Sequence, residues 1–165
     1  MDTFARDRLP PKELWPRLHF DLPELRYPER LNCATVLLDD AIPEGHGDRP
    51  ALLTDAGPIT YVELLERANR IANVLKGAGV VPGNRVLLRG YNGPELFAAW
   101  LAVMKAGAIA VTTMPMLRAP ELSAIIGKAE PAFALCDHRL LMELRAAITA
   151  KACVKTLIAW GDGDL

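Results

Sequence analysis

Over the second half of this chain, short apolar segments alternate with longer amphipathic ones, and this pattern limits the folds available to it. Helical segments at 94–106 and 120–129, and a third that begins at Asp137, lie between apolar stretches. Strands that alternate with helices in this way are typical of a parallel sheet with right-handed crossovers. We therefore predict an α/β fold with a doubly wound, mostly parallel sheet flanked by helices. Four segments are the predicted strands: 85–89, 108–112, 132–136 and 154–160.

A capping box marks the start of the clearest helix. In Thr60-Tyr61-Val62-Glu63, the Thr60 hydroxyl and the Glu63 carboxylate can each accept a hydrogen bond from an unpaired backbone amide. The helix is predicted to end at Gly79. Its apolar face is formed by six residues: Leu64, Leu65, Ala68, Ile71, Ala72 and Leu75.

Two smaller elements are predicted before this helix. Asn32 is a good N-cap for a helix that Pro43 and Gly45 would end. Residues 51–53 and 58–60 lie on either side of an Asp-Ala-Gly turn and predict a small hairpin.

Residues 1–30 are predicted to form an extended, proline-rich arm, and residues 31–165 the α/β unit. The arm contains five prolines, each of which removes a backbone donor and disfavours helix in the residue before it. Apolar residues between the prolines lead us to expect that the arm lies along the body of the protein. They are Leu14, Trp15, Leu18, Phe20, Leu22 and Leu25.

Composition excludes several classes of protein. With 51% hydrophobic residues among 165, the chain has enough apolar material for one core and is not intrinsically disordered. A formal net charge of −1 argues against nucleic-acid binding. The longest apolar run, 96–104, is far shorter than the roughly 20 residues of a membrane span.

The expected location is the cytoplasm. The N-terminus alternates charge with proline and has no apolar core, so it does not resemble a signal peptide. Cys33, Cys136 and Cys153 are widely spaced and lack the spacing of metal ligands. We expect reduced thiols, no metal site, and no membrane or nucleic-acid partner.

The chain lacks the usual sequences that bind phosphate. Ser123 is the only serine and lies in a predicted helix, so neither a nucleophile elbow nor a Ser-rich phosphate loop can form. The glycine pairs at 45–47 and 77–79 lack the third glycine of a dinucleotide-binding fingerprint, and they follow predicted helices where that motif follows a strand. Gly161-Asp162-Gly163 does follow a strand and could begin a phosphate site. Asp162 and Asp164 do not resemble a metal-binding loop.

Ligands of doubly wound sheets approach the carboxyl ends of the strands, which here are segments 89–92, 113–118 and 137–138. Asn92 and Asp137 are better explained as helix N-caps than as ligand contacts. His138 is expected to be solvated.

The Met-Pro segment is the remaining candidate. Met114, Pro115 and Met116 could line a pocket or equally form core at a subdomain boundary. Arg118 could reach an anion, although an ordinary surface arginine is the simpler interpretation. Lys105, at the end of its helix, is expected to complement the helix dipole.

An ordered set of motifs resembles the opening of the adenylate-forming acyl- and aryl-CoA ligase superfamily. The match runs from about residue 31 to 144 and is specific because five pieces occur in order. With the arm, Arg89-Gly90 and 114–118, the chain most resembles 2-aminobenzoate-CoA ligases, relatives of benzoate-CoA ligase. The five pieces are Ile59-Thr60-Tyr61-Val62-Glu63-Leu64, Pro82-Gly83-Asn84-Arg85-Val86, Val103-Met104-Lys105-Ala106-Gly107-Ala108, Met114-Pro115 and Pro120-Glu121-Leu122.

This resemblance implies a two-step reaction. A carboxylate attacks the α-phosphate of Mg-ATP to give an acyl-adenylate and pyrophosphate, and the CoA thiol then displaces AMP. The family's lysine-bearing phosphate loop and its other catalytic motifs match no segment here, so no catalytic residue is assigned. Met114, Pro115, Met116 and Arg118 are the residues expected near substrate or CoA.

The resemblance therefore implies a scaffold part of a longer enzyme. ATP, Mg²⁺, CoA and an aromatic carboxylic acid are implied for that enzyme, and its C-terminal part is the implied partner. By itself the chain is expected neither to form acyl-adenylate nor to bind ATP tightly. It should expose an apolar face that the rest of the enzyme covers, and this surface could support a homodimer.

A free-standing α/β binding module, or an interaction domain whose arm docks a partner, is the alternative. A receiver-like module would need clustered acidic residues at its strand ends, and Arg89, Thr113 and Asp137 do not form such a cluster. The open reading frame distinguishes these hypotheses, because a ligase would continue through a lysine-bearing phosphate loop.

Overall fold

The computed structural model describes residues 1–161. Its strands and helices alternate as predicted, and the strand bounds shift by at most two residues. The α-helices are α1 (Phe4–Asp7), α2 (Tyr61–Gly77), α3 (Pro94–Lys105), α4 (Ala119–Ala129) and α5 (Leu141–Thr149). The strands are β1 (Pro50–Thr54), β2 (Gly57–Thr60), β3 (Arg85–Arg89), β4 (Ile109–Thr113), β5 (Phe133–Asp137) and β6 (Thr156–Trp160).

The main sheet is parallel and has the strand order β4-β3-β5-β6. Along β3, alternate side chains enter two different cores, because successive residues of a strand point to opposite faces. Val86 and Leu88 pack with α2 and α3, whereas Leu87 packs with α4 and α5. Helices therefore cover both faces, which confirms the predicted doubly wound architecture.

The antiparallel hairpin of β1 and β2 and the helix α2 also form as predicted. The capping box is present, since the Glu63 amide donates to Thr60 Oγ1 (3.3 Å) and the Thr60 amide donates to Glu63 Oε2 (2.7 Å). The first turn of α2 is thus fixed by the sequence motif itself.

The segment after Asn32 is helical but not a regular α-helix. The Asn32 side chain accepts from the amide of Ala34 (3.0 Å), as an N-cap should. The chain then forms two π-helical turns, Thr35–Asp39 and Ile42–His46. Our expectation that Pro43 and Gly45 end the helix is confirmed at Gly45, whose φ of +79° is not helical, but wrong at Pro43. Pro43 lies in the first turn of the second segment, where its missing amide costs no hydrogen bond.

The arm is the largest departure from expectation. It contains only short helical turns, as its prolines predict, but its apolar side chains do not pack along the body. Leu14, Trp15, Leu18, Phe20 and Leu22 are all exposed. Apolar composition alone did not show where these side chains lie, because packing needs a complementary surface as well.

Residues at the extreme N-terminus do dock on the body. The Asp2 amide donates to the Pro82 carbonyl (2.8 Å), and the Asp2 carboxylate accepts from Asn84 Nδ2 (2.9 Å) and from Arg85. The Arg85 guanidinium also lies over the Phe4 ring, 3.9 Å from its centre. This contact fixes the N-terminus at the amino end of β3.

Candidate functional site

A cleft opens at the carboxyl ends of β3 and β5. The chain runs from β3 to β4 on one side and then returns to place β5 on the other side of β3. Neighbouring connections diverge at such a switch point, which is where doubly wound sheets bind ligands. The cleft has a volume of about 480 Å³ and is lined by Arg89, Tyr91, Pro115, Met116, Leu117, Arg118, Arg139, Leu140, Met142 and Glu143.

Arg89 forms the floor of this cleft and is only 1% exposed. Its guanidinium donates to the carbonyls of Met114 (2.9 Å), Pro115 (3.0 Å) and Leu117 (2.7 Å). A longer contact runs from Nε to the Leu140 carbonyl (3.4 Å). The sequence predicted Arg89 at this edge of the sheet but not its role, because the carbonyls that it binds leave no signal in the sequence.

Arg118 lies at the mouth of the cleft, where it is paired with Glu143. The distance from its Nη1 to Glu143 Oε1 is 3.0 Å, and the other Glu143 oxygen accepts from the Ala119 amide (2.8 Å). These hydrogen bonds, chiefly that of the amide, lower the pKa of Glu143. Glu143 therefore both caps α4 and holds an arginine that is otherwise largely exposed.

Asp137 and Arg139 form a second pair on the β5 side. Asp137 caps the turn that follows β5, as predicted, by accepting from the Arg139 amide (3.0 Å). Its other oxygen lies 2.6 Å from Arg139 Nη2, and the Arg139 guanidinium lies 4.6 Å from the centre of the Tyr91 ring. The Arg139 side chain is the main cause of a lowered pKa at Asp137.

Replacing Asp137 by asparagine should remove a pH-dependent contribution to the free energy of unfolding. Because folding lowers the pKa of Asp137 below its usual 3.8, this contribution is complete above about pH 4 and disappears as the pH falls through the folded-state pKa. In urea unfolding at several pH values, the stability difference between the wild type and Asp137→Asn should be largest near neutrality and shrink in acid. Asp55→Asn, in the exposed hairpin turn, is the matched control. A difference that stays constant across this range would contradict the assignment.

Within this chain the Met-Pro segment lies at the surface. Met114 is 62% and Met116 81% exposed, so neither is buried in the core that residues 1–161 form. Pro115, Met116 and Arg118 line the cleft. A role of these residues in binding stays a prediction.

Two other expectations need correction. Asn92 is not an N-cap, because α3 begins after Gly93 with Pro94 in its first turn and no side chain caps it. His138 is not simply solvated. Its side chain is 36% exposed, but its Nδ1 is buried without a hydrogen-bond partner among residues 1–161.

Lys105 and Cys136 have roles in the fold rather than in the cleft. Lys105 lies in the last turn of α3, as expected, and its Nζ lies 2.6 Å from Asp39 Oδ2, which joins α3 to the first π-helical turn. Burial raises the pKa of the Cys136 thiol to about 12, so it is protonated and unsuited to act as a nucleophile.

A second opening lies over β5 and β6, on the face that α2 and α3 only partly cover. Right-handed crossovers from β4 to β5 and from β5 to β6 place α4 and α5 on the opposite face. A groove of about 370 Å³ remains, with Leu135, Ile158 and Trp160 among its lining residues. Leu135 and Trp160 are nonetheless buried, and Val74 is the exposed large apolar residue of this groove, so the exposed apolar side chains lie mainly elsewhere, several of them on the arm.

Two features considered in the sequence lie partly or wholly in the last four residues, 162–165. The candidate phosphate site at Gly161-Asp162-Gly163 and the acidic pair Asp162 and Asp164 extend outside the described residues. Within residues 1–161 there is no group of three or more His, Cys, Asp or Glu placed to hold a metal ion. No helix in that part of the chain is long and apolar enough to cross a membrane.

The sequence matches a known protein family over most of its length. Residues 39–164 match the AMP-binding enzyme family. The salicyl-AMP ligase / salicyl-S-ArCP synthetase of Mycobacterium tuberculosis is 43% identical over 97 residues, which are 59% of this chain and 15% of that protein.

Two solved structures are similar in fold. A benzoate CoA ligase from Burkholderia xenovorans LB400 has a TM-score of 0.71 and 25% identity, over 80% of this chain and 26% of its own. The anthranilate CoA ligase AuaEII, in complex with anthranoyl-AMP, has a TM-score of 0.72 and 24% identity, over 78% and 25%. This chain thus spans about a quarter or less of these proteins. Since the family match covers most of its residues, the chain belongs to the AMP-binding enzyme family.

Proposed function

We propose that this chain is the N-terminal scaffold part of a longer ATP-dependent aryl-CoA ligase. Such an enzyme would convert an aromatic acid of the 2-aminobenzoate or benzoate type, ATP and CoA into aryl-CoA, AMP and pyrophosphate. The family match over residues 39–164 carries the proposal, since that range includes the whole parallel sheet and its cleft. Relatives named for salicyl, benzoate and anthranilate chemistry support an aromatic acid.

In this proposal the cleft lies near the acid or CoA. Met116 and Pro115 offer adaptable apolar surface at its edge, while Arg118, held by Glu143, offers a guanidinium that can reach a negatively charged group. Met114 lies in the same loop, with its carbonyl bound to Arg89. These contacts would position a substrate, and we assign the chain no bond-making step.

The remaining machinery is assigned to the rest of the longer protein. Residues 1–161 hold no carboxylate cluster suited to Mg²⁺, so we derive no metal-dependent step from them. We propose that the chain alone is inactive, that its partner is the remainder of the same enzyme, and that it acts in the cytoplasm. A homodimer through the exposed apolar surface remains part of this proposal.

Thioester formation by the product of the complete open reading frame tests the function. We expect the frame to continue through a lysine-bearing phosphate loop and its product to form CoA thioesters from 2-aminobenzoate or benzoate in preference to aliphatic acids. The 165-residue chain, assayed with 2-aminobenzoate, ATP and Mg²⁺, should release no pyrophosphate above background. A natural stop codon after Leu165, or enzyme-like pyrophosphate release by the isolated chain, would contradict the proposal.

A further inference from the structure

Arg89 is the one arginine among those lining the cleft that has no carboxylate partner within residues 1–161. Arg118 is paired with Glu143, and Arg139 with Asp137. Arg89 is also the most buried of the three, and the hydrogen bonds that the structure gives it all go to backbone carbonyls. Burying a guanidinium without a counter-charge is costly unless hydrogen bonds compensate for its lost water.

Three of these four hydrogen bonds go to one loop, 114–118, and the fourth, longer one goes to Leu140. Within this loop the backbone supplies a single turn hydrogen bond, from the Leu117 amide to the Met114 carbonyl (3.2 Å). Pro115 has no amide to donate. Three of the loop's carbonyls instead share the guanidinium of Arg89, which joins the loop to β3. The conformation of the loop thus depends on a side chain from a different strand.

We propose that Arg89 is a positioning residue for the cleft: it holds loop 114–118 in the conformation that places Met116 and Arg118 at the cleft mouth. The use of that conformation in ligand binding rests on the proposed function, but the positioning itself does not. A lysine should not replace Arg89, because one ammonium group cannot reproduce a planar fork of five donors directed at separate carbonyls.

Arg85 provides a matched comparison on the same strand. It is also a buried arginine that donates to carbonyls, those of Ala129 (2.9 Å) and Glu130 (2.9 Å), but it lies at the opposite end of β3. Loss of Arg85 should weaken the fold without disturbing loop 114–118. General destabilisation can therefore be separated from loss of positioning.

The test is methyl NMR of the chain labelled with ¹³C-methyl methionine, in the wild type, Arg89→Lys, Arg89→Leu and Arg85→Leu. We expect the signals of Met114 and Met116 to shift and broaden in both Arg89 variants, while that of Met104 stays in place. Amide hydrogen exchange in 113–118 should rise by about tenfold or more in the Arg89 variants. In Arg85→Leu, the Met114 and Met116 signals should be unchanged.

Unchanged Met114 and Met116 signals in Arg89→Lys, or equal changes in Arg85→Leu, would overturn the proposal. If neither Arg89 variant folds, the proposal is tested in the wild type by measuring the exchange of the arginine guanidinium protons with water by NMR. Those of Arg89 should exchange slowly and as separate signals, whereas fast exchange would refute the inference. Since no measurement uses ATP, CoA or an acid, this result is independent of whether the ligase proposal holds.

Discussion

Replacing Leu88 by alanine is expected to lower the free energy of unfolding by about 2–5 kcal/mol, which would unfold much of a marginally stable domain. Leu88 is 0% exposed and lies in β3, one of the two inner strands of the sheet. Its side chain packs in the core shared by α2, α3 and the sheet. Alanine would leave a cavity there, because rigid neighbours on three sides can close it only in part.

Leu53→Ala is the control for Leu88→Ala, since Leu53 is 84% exposed in the hairpin. The same change of side chain at that position should alter stability by about 0.5 kcal/mol or less. Urea denaturation followed by circular dichroism gives both values. Similar losses in the two variants would show that β3 is not the centre of the core.

Gly83→Ala is expected to release the N-terminal residues from the body as well as destabilise the fold. Gly83 has a φ of +88°, and a Cβ added there would clash with the Asp2 carbonyl oxygen. That contact is with backbone, so it can be relieved only if residues near the N-terminus move away. The Asp2 contacts with Asn84 and Arg85 would then be lost.

Gly79→Ala separates the effect of backbone strain at a positive φ from the effect of the clash with Asp2. Gly79 has a similar φ of +93°, but nothing lies within 4 Å of an added Cβ. Its substitution should cost about 1–2 kcal/mol from backbone strain alone. Gly83→Ala should cost distinctly more and, in limited proteolysis, expose residues 1–8 to cleavage. If the two variants were equally stable and equally resistant, the docking of the N-terminus would be refuted.

The sequence predicted the elements well where the cause is local. Capping at Thr60 and Asp137, the turn between β1 and β2, and the short apolar strands each depend on residues only a few positions apart. The sequence also identified the family, because each family motif is a short run of residues and the motifs occur in order along the chain. The prediction that Asn92 is an N-cap was wrong because Asn is also common in turns. In the structure α3 begins at Pro94, with Gly93 at the N-cap position.

Contacts between distant residues were not predictable in this way. Arg89 binds carbonyls 25 to 51 positions away, and Arg85 meets Asp2 across 83 positions. Backbone carbonyls are present at every residue, so no residue type reveals which of them an arginine will bind. The exposed arm was mispredicted for a related reason, since apolar residues indicate burial only where a partner surface exists.

By itself, then, the sequence determined the order of helices and strands, their caps and the doubly wound sheet, because periodicity and capping act over one or two turns of chain. Only the tertiary structure decided that β3 and β5 lie side by side with their carboxyl ends open. It also decided that a buried guanidinium, rather than the Met-Pro segment alone, shapes the cleft between them. The physical reason is that burial and hydrogen bonding depend on which surfaces meet, and this is settled only when the whole chain has packed.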